Sequence, residues 1–164
     1  VIAAASDVAE LARIEWWIAG VAGIAASAED LVRRTISNWI VLAVLIAGLG
    51  CQILARGWMG IGYGLGGAAA GFGVFLIFYI LGGMGGGDVK LMAGFGALLG
   101  AGRLLQAAFW TALTGGLLAA GVLGFAAARR WLVPGQRDKQ ERPVSVPYAP
   151  AIALGVWLTL LSAK

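Results

Sequence analysis

The sequence predicts an all-α fold, a polytopic membrane helix bundle of about six transmembrane helices. Three observations lead there. The 164 residues are 60% hydrophobic, with a mean hydropathy of +0.88, where a soluble domain is nearer half apolar. The apolar residues come in near-continuous runs, and the basic residues gather in the connectors between them, as topology requires. Small residues recur four apart at Gly62 and Gly66, Gly67 and Gly71, Gly96 and Gly100, and along Gly116, Ala120 and Gly124. That spacing lets helix backbones approach closely in lipid.

The first segment spans Trp16 to Ala28, and Trp16 and Trp17 at its start read as interface anchors. The second spans Trp39 to Leu54, with Trp39 and Trp58 as its interfacial aromatics and Cys51 as packing. The third runs from Ile61 to Leu81 and ends in the glycine-rich stretch GGMGGG. The fourth runs from Val89 to Ala101, the fifth from Leu104 to Ala128 and the sixth from Val146 to Leu161. Segments one and four fall short of the roughly 20 residues that cross a bilayer, so they are expected to be tucked into the bundle or extended by polar flanks. The whole chain, 1–164, reads as one membrane-embedded domain, with an outer N-terminal arm at 1–15 and a charged cytoplasmic loop at 129–145. The arm has no charged region ahead of its alanines and does not read as a signal peptide.

Eight of the 12 Lys and Arg residues flank the connectors between segments one and two, three and four, and five and six. They are Arg33, Arg34, Lys90, Arg129, Arg130, Arg137, Lys139 and Arg142, against Arg13, Arg56, Arg103 and Lys164 on the other face. The positive-inside rule puts the first group in the cytoplasm and both termini outside. The net charge of +4 is accounted for by this distribution, and no nucleic-acid partner is expected. The lipid bilayer is the expected surrounding.

With no histidine and a single cysteine, the usual neutral-pH base, a disulfide and a cysteine metal pair are all missing, so no metal or cofactor is expected. Proton chemistry falls to the eight acidic residues. Asp7, Glu10 and Glu15 lie on the outer arm, and Asp138 and Glu141 lie in the basic loop. That leaves Glu29, Asp30 and Asp88, at the cytoplasmic ends of membrane segments, where ionisable groups are costly and tend to be functional. A structural reading exists for each. Glu29 reads as a solvated or interfacial acid, Asp30 as an ion-pair partner of Arg33 or Arg34, and Asp88 as the N-cap of segment four. The cap reading leaves Gly85, Gly86 and Gly87 unexplained. Such a block permits unusual dihedrals and close backbone approach, which suits a wet cleft beside an extended peptide. Two carboxylates brought together resist joint ionisation and hold a shared proton, the arrangement that activates water and polarises a peptide carbonyl.

GGGDVKLMAGFGALLG resembles the GxGD signature of the type IV prepilin peptidases, with Gly85, Gly87 and Asp88 as the motif and Lys90, Leu91, Gly96 and Gly100 as its continuation. SAEDLVRRTISNW resembles that family's first aspartate motif through Asp30, Arg33, Arg34, Ile36 and Asn38. Ser37 stands where the family usually has proline, a departure that loosens the expected rigidity of the connector. VPYAPAIALG resembles the C-terminal motif of short family members through Pro147, Tyr148, Pro150 and Gly155. The resemblance implies an intramembrane aspartic endopeptidase of the bacterial inner membrane. Asp30 and Asp88 would be its catalytic pair, and its partner a prepilin cut between its leader and its apolar helix. It also implies a short form serving Tad/Flp-type pili, without the methyltransferase region of the long members, and archaeal preflagellin peptidases are a near alternative. Gly85, Gly86, Gly87, Lys90, Asn38 and Tyr148 are the expected supporting or substrate-binding residues. Asn38 reads first as a cap of segment two and Tyr148 as an interfacial aromatic.

Two other classes compete. A small proton- or ion-coupled transporter would use membrane-depth acids beside broken helices, in symmetry-related pairs. A pilus-assembly scaffold would use both aspartates only as caps.

Overall fold

The structure, a computed structural model, describes residues 2–132 and 148–162. Five helices follow one another: α1 (Ile2–Arg33), α2 (Asn38–Arg56), α3 (Met59–Ile80), α4 (Gly86–Leu132) and α5 (Ala149–Ser162). α4 is interrupted at Gly100 (φ 73, ψ 164), a backbone conformation that favours glycine. The interruption falls at the boundary expected between segments four and five, so the described residues form six helical segments. Among the described residues there is no strand. Arg137, Asp138, Lys139, Glu141, Arg142, Val146, Pro147 and Lys164 lie outside them.

Each connector follows from local chemistry. Arg34 at φ 53 ends α1, and its N–H donates to the Asp30 carbonyl at 2.8 Å, a left-handed closure of the last turn. Ser37 caps α2, its hydroxyl accepting from the Trp39 N–H at 3.4 Å. Gly57 at φ 60 closes α2 with a bond from its N–H to the Ile53 carbonyl at 2.7 Å, and α3 starts at once. Gly82 at φ 75 turns the chain out of α3.

α4 packs against α2, α3 and α5, and α1 packs against α2 and α5. Glycines set the spacing. A Cβ on Gly67 would run into the Gly96 carbonyl, and one on Gly96 into the Gly67 carbonyl. The backbones of α3 and α4 therefore touch, gaining the dispersion contact that drives helix association in lipid. Gly48 meets the Leu98 backbone in the same way, and Gly155 meets Thr111. Residues 88–100 are buried except for Lys90 and Ala93, so the first arm of α4 is the central helix, apolar nearly all round. At about 1.5 Å per residue it is only some 20 Å long, and, as its length suggested, it is tucked into the bundle. Segment one instead grows at both ends into the long α1, the arm at 2–15 being helical and continuous with it.

The outer faces carry large apolar side chains, among them Trp17, Ile24, Ile46, Phe72 and Phe109, far more than a soluble surface leaves exposed. Helices α2 and α3 and the stretch Gly86–Val122 are long and apolar enough to cross a membrane. Polar contacts concentrate at the two ends. Glu15, Arg103, Gln106 and Ser162 meet at one, while Asp30, Asn38, Lys90 and Ala149 are joined in pairs at the other. Glu15 and Asp30 lie on the same helix, about 22 Å apart by its rise.

Candidate active site

Asp30 and Asp88 are the two buried carboxylates of the described residues, 8% and 6% exposed. Asp30 is in the last turn of α1 and Asp88 in the first turn of α4. They stand close enough for the charge of Asp30 to act on Asp88.

Each is oriented by a backbone N–H at a helix start. The Ala149 N–H, the first of α5, donates to Asp30 Oδ2 at 3.2 Å. The Gly85 N–H donates to Asp88 Oδ2 at 3.1 Å. Helix N-termini carry orphan donors and partial positive charge, so two such ends grip two acids. The second oxygen of Asp88, Oδ1, is buried and has no hydrogen-bond partner among the described residues. A buried carboxylate oxygen left so is costly, unless a reacting group engages it.

The cap expected of Asp88 takes another form. Gly85 holds the N-cap position, its carbonyl accepting from the Asp88 and Val89 N–H groups at 3.1 and 3.4 Å. Asp88 reaches back to it from the third helical position, one half of a capping box. The ion pair expected between Asp30 and Arg33 or Arg34 does not form among the described residues. Arg33 faces Glu29 instead, at 3.8 Å.

The glycine block also differs from expectation. Its left-handed residue is Gly82, upstream, while Gly85, Gly86 and Gly87 avoid positive φ. Gly86 and Gly87 belong to the first turn of α4. Their missing side chains admit neighbours. A Cβ at Gly86 would lie 3.5 Å from the Tyr79 ring, and one at Gly87 would lie 3.2 Å from Cβ of Ile36. The α1–α2 connector thus rests on the helix start that bears Asp88.

Of the other expected residues, Asn38 is the first residue of α2, next to the Ser37 cap, and its Oδ1 accepts from Lys90 Nζ at 3.2 Å. The two form an exposed cross-brace from α2 to α4. Tyr148 immediately precedes α5, and its ring packs where a Cβ of Gly115 would lie, 3.2 Å from Cε1. Its carbonyl accepts from the Ile152 N–H at 3.0 Å.

Glu29, read as a solvated or interfacial acid, is only partly exposed. Its side chain is 18% exposed, and Oε2 accepts from the Ser37 N–H at 2.8 Å, a bond that proline could not make. The connector is therefore tied, although it lacks the family's usual proline. The Ala149 N–H that holds Asp30 has only a faint mark in the sequence. Pro150 near the start of α5 was the available signal, because proline favours a first helical turn and so marks where free N–H groups point.

Fold and site together define a helical membrane protein with a paired, buried aspartate centre at one end of its bundle. The model of the type IV leader peptidase family matches residues 17–120, which include both aspartates. The chain belongs to that family. It is 42% identical over 100 residues to the "Prepilin leader peptidase/N-methyltransferase" of Bacillus subtilis (strain 168), an overlap of 60% of this chain and 36% of that one. The chain thus spans about a third of the length of that curated relative. No solved structure matches it.

Proposed function

We propose that the chain is an aspartic endopeptidase that removes the leader of type IV prepilins, of the Flp type, at the cytoplasmic face of the bacterial inner membrane. The observation that carries the reading is the buried pair Asp30 and Asp88, each oriented by a helix-terminal N–H, with Asp88 Oδ1 unpaired among the described residues. The ionised carboxylate of the pair takes a proton from water as its oxygen attacks the scissile carbonyl. The protonated partner donates to the carbonyl oxygen, giving a neutral gem-diol. Return of a proton to the amide nitrogen breaks the C–N bond and releases a carboxylic acid and an amine. The N–H groups of Gly86 and Gly87, first-turn donors of α4 without a partner among the described residues, are suited to hold a substrate carbonyl. Lys90 and Asn38 brace this edge of the cleft. The Flp-type assignment rests on the VPYAPAIALG resemblance, and the cytoplasmic face on the Lys and Arg distribution.

Co-expression with a prepilin tests the pair. Asp30→Asn and Asp88→Asn are each expected to lower cleavage by about 100-fold or more, the lower end of what a positioned acid or base contributes. Processing by either variant at the wild-type rate overturns the assignment. The transporter reading gains nothing from the fold, since among the described residues only α4 is interrupted.

A further inference from the structure

We infer that Glu29 is a positioning residue of this site: its carboxylate ties the α1–α2 connector through the Ser37 N–H and so fixes the connector against the helix start that carries Asp88. The inference rests on the reading of Asp30 and Asp88 as the reacting pair.

The contacts form a closed route. Glu29 precedes Asp30 on α1 and points about 100° away from it around the helix. Asp30 therefore faces the start of α5, and Glu29 faces the connector. Arg34 in the left-handed region turns the chain back, bringing the Ser37 N–H to 2.8 Å from Glu29 Oε2. Ser37 is also the N-cap of α2, so the bond sets where that helix begins. One residue earlier, Ile36 sits over Gly87, with its Cβ and backbone N 3.2 and 3.4 Å from where a Cβ of Gly87 would lie. Gly87 is next to Asp88. The path Glu29–Ser37–Ile36–Gly87 thus links the helix end bearing Asp30 to the helix start bearing Asp88. Arg33 at 3.8 Å adds a partly exposed charge contact to Glu29, worth little by itself. Without Glu29 the connector keeps its sequence but loses its anchor. The spacing of the two carboxylates then loosens, and small displacements at a reacting centre are costly.

The backbone supplies a specific test. Ser37 has φ −64 and ψ 134, a geometry that proline adopts without strain. Ser37→Pro deletes the N–H that Glu29 holds and fixes φ covalently. Ser37→Ala deletes only the hydroxyl cap and is its reference. In detergent, with a prepilin as substrate, Glu29→Leu is expected to lower kcat about tenfold with KM within about twofold, the scale of one charge-assisted hydrogen bond. Glu29→Gln keeps an acceptor oxygen and should stay within about threefold of wild type. Glu29→Leu combined with Ser37→Pro leaves no stranded donor and a rigid connector, and should recover to within about threefold of the Ser37→Ala reference. A double variant no better than Glu29→Leu overturns the inference, and so does a Glu29→Gln variant as impaired as Glu29→Leu. Melting temperatures of the same proteins read the coupling without activity. The double variant should lose less than the two single losses summed, and additive losses overturn the inference. If the wild type cleaves no prepilin, or the aspartate variants still cleave, the dyad reading fails while this melting cycle still decides the Glu29–Ser37 coupling.

Discussion

Gln52 shows how one side chain supports the broken central helix. It lies in apolar α2, is 2% exposed, and its Nε2 donates to the Leu98 carbonyl at 2.8 Å. The break at Gly100 disrupts the regular bonding of the carbonyls just before it, and Leu98 and Leu99 are two of them. Arg103 Nε donates to the Leu99 carbonyl at 3.1 Å, and the same guanidinium grips Glu15 through two bonds of 2.8 and 2.9 Å. Irregular backbone at membrane depth survives only where protein satisfies it, and these two side chains do so. Gln52→Leu keeps approximate volume but leaves the Leu98 carbonyl without that donor. It is expected to lower stability by about 1–3 kcal/mol, read as a drop in the melting temperature of the detergent-solubilised protein. A melting temperature equal to wild type would mean that the carbonyl finds another donor. Little of this was legible in the sequence. A lone glutamine in an apolar run looks incidental until the helix break opposite it is known. Asp88 was legible because a glycine block set it apart, and Asp30 because the basic residues placed it at the same depth. The bond from Glu29 to Ser37 was not, because it depends on the left-handed turn at Arg34, where arginine gives no local signal for positive φ.

At the scale of the element, small-residue spacing named the helices that pack but not the faces they use. Gly67 and Gly71 face α4 backbone, whereas Gly62, Gly66, Gly116 and Gly124 have nothing among the described residues within 4 Å of an added Cβ. The stripes look alike in sequence, and only the position of the neighbouring helix divides them. The adjacent residues Gly66 and Gly67 therefore make a matched test. Gly67→Ala forces a methyl group into the Gly96 carbonyl, which must push α3 from α4 at an overpacking cost of about 1–3 kcal/mol. Gly66→Ala meets open space and removes a poor helix former, for a gain of up to about 1 kcal/mol. Thermal unfolding should thus move in opposite directions for two neighbouring glycines. Equal effects would place the α3–α4 contact elsewhere. Segment lengths were legible to the same degree. The short fourth segment is central because nearly every one of its side chains is buried, but the extension of α1 to Ile2 was hidden by Asp7, Glu10 and Arg13, which break the apolar run without breaking the helix.

At the scale of the whole molecule, the two polar ends of the bundle decide which compartment the site serves. Thr35, exposed in the α1–α2 connector, belongs to the end that holds Asp30 and Asp88. Trp58, 87% exposed, lies in the α2–α3 turn at the other end, one helix length away along α2. The native Cys51 is buried at 5% exposure, so it competes little for a water-soluble thiol reagent. Single Thr35→Cys and Trp58→Cys variants therefore report the two faces separately. If the basic connectors are cytoplasmic, a membrane-impermeant maleimide added to intact spheroplasts labels Trp58→Cys at once. It should label Thr35→Cys only after permeabilisation, when both label and the wild type stays dark. The reverse pattern would put the aspartate pair on the outer face, where a leader peptide still in the cytoplasm cannot reach it. The proposed cleavage at the inner face would then fail on topology alone, whatever the geometry of the pair.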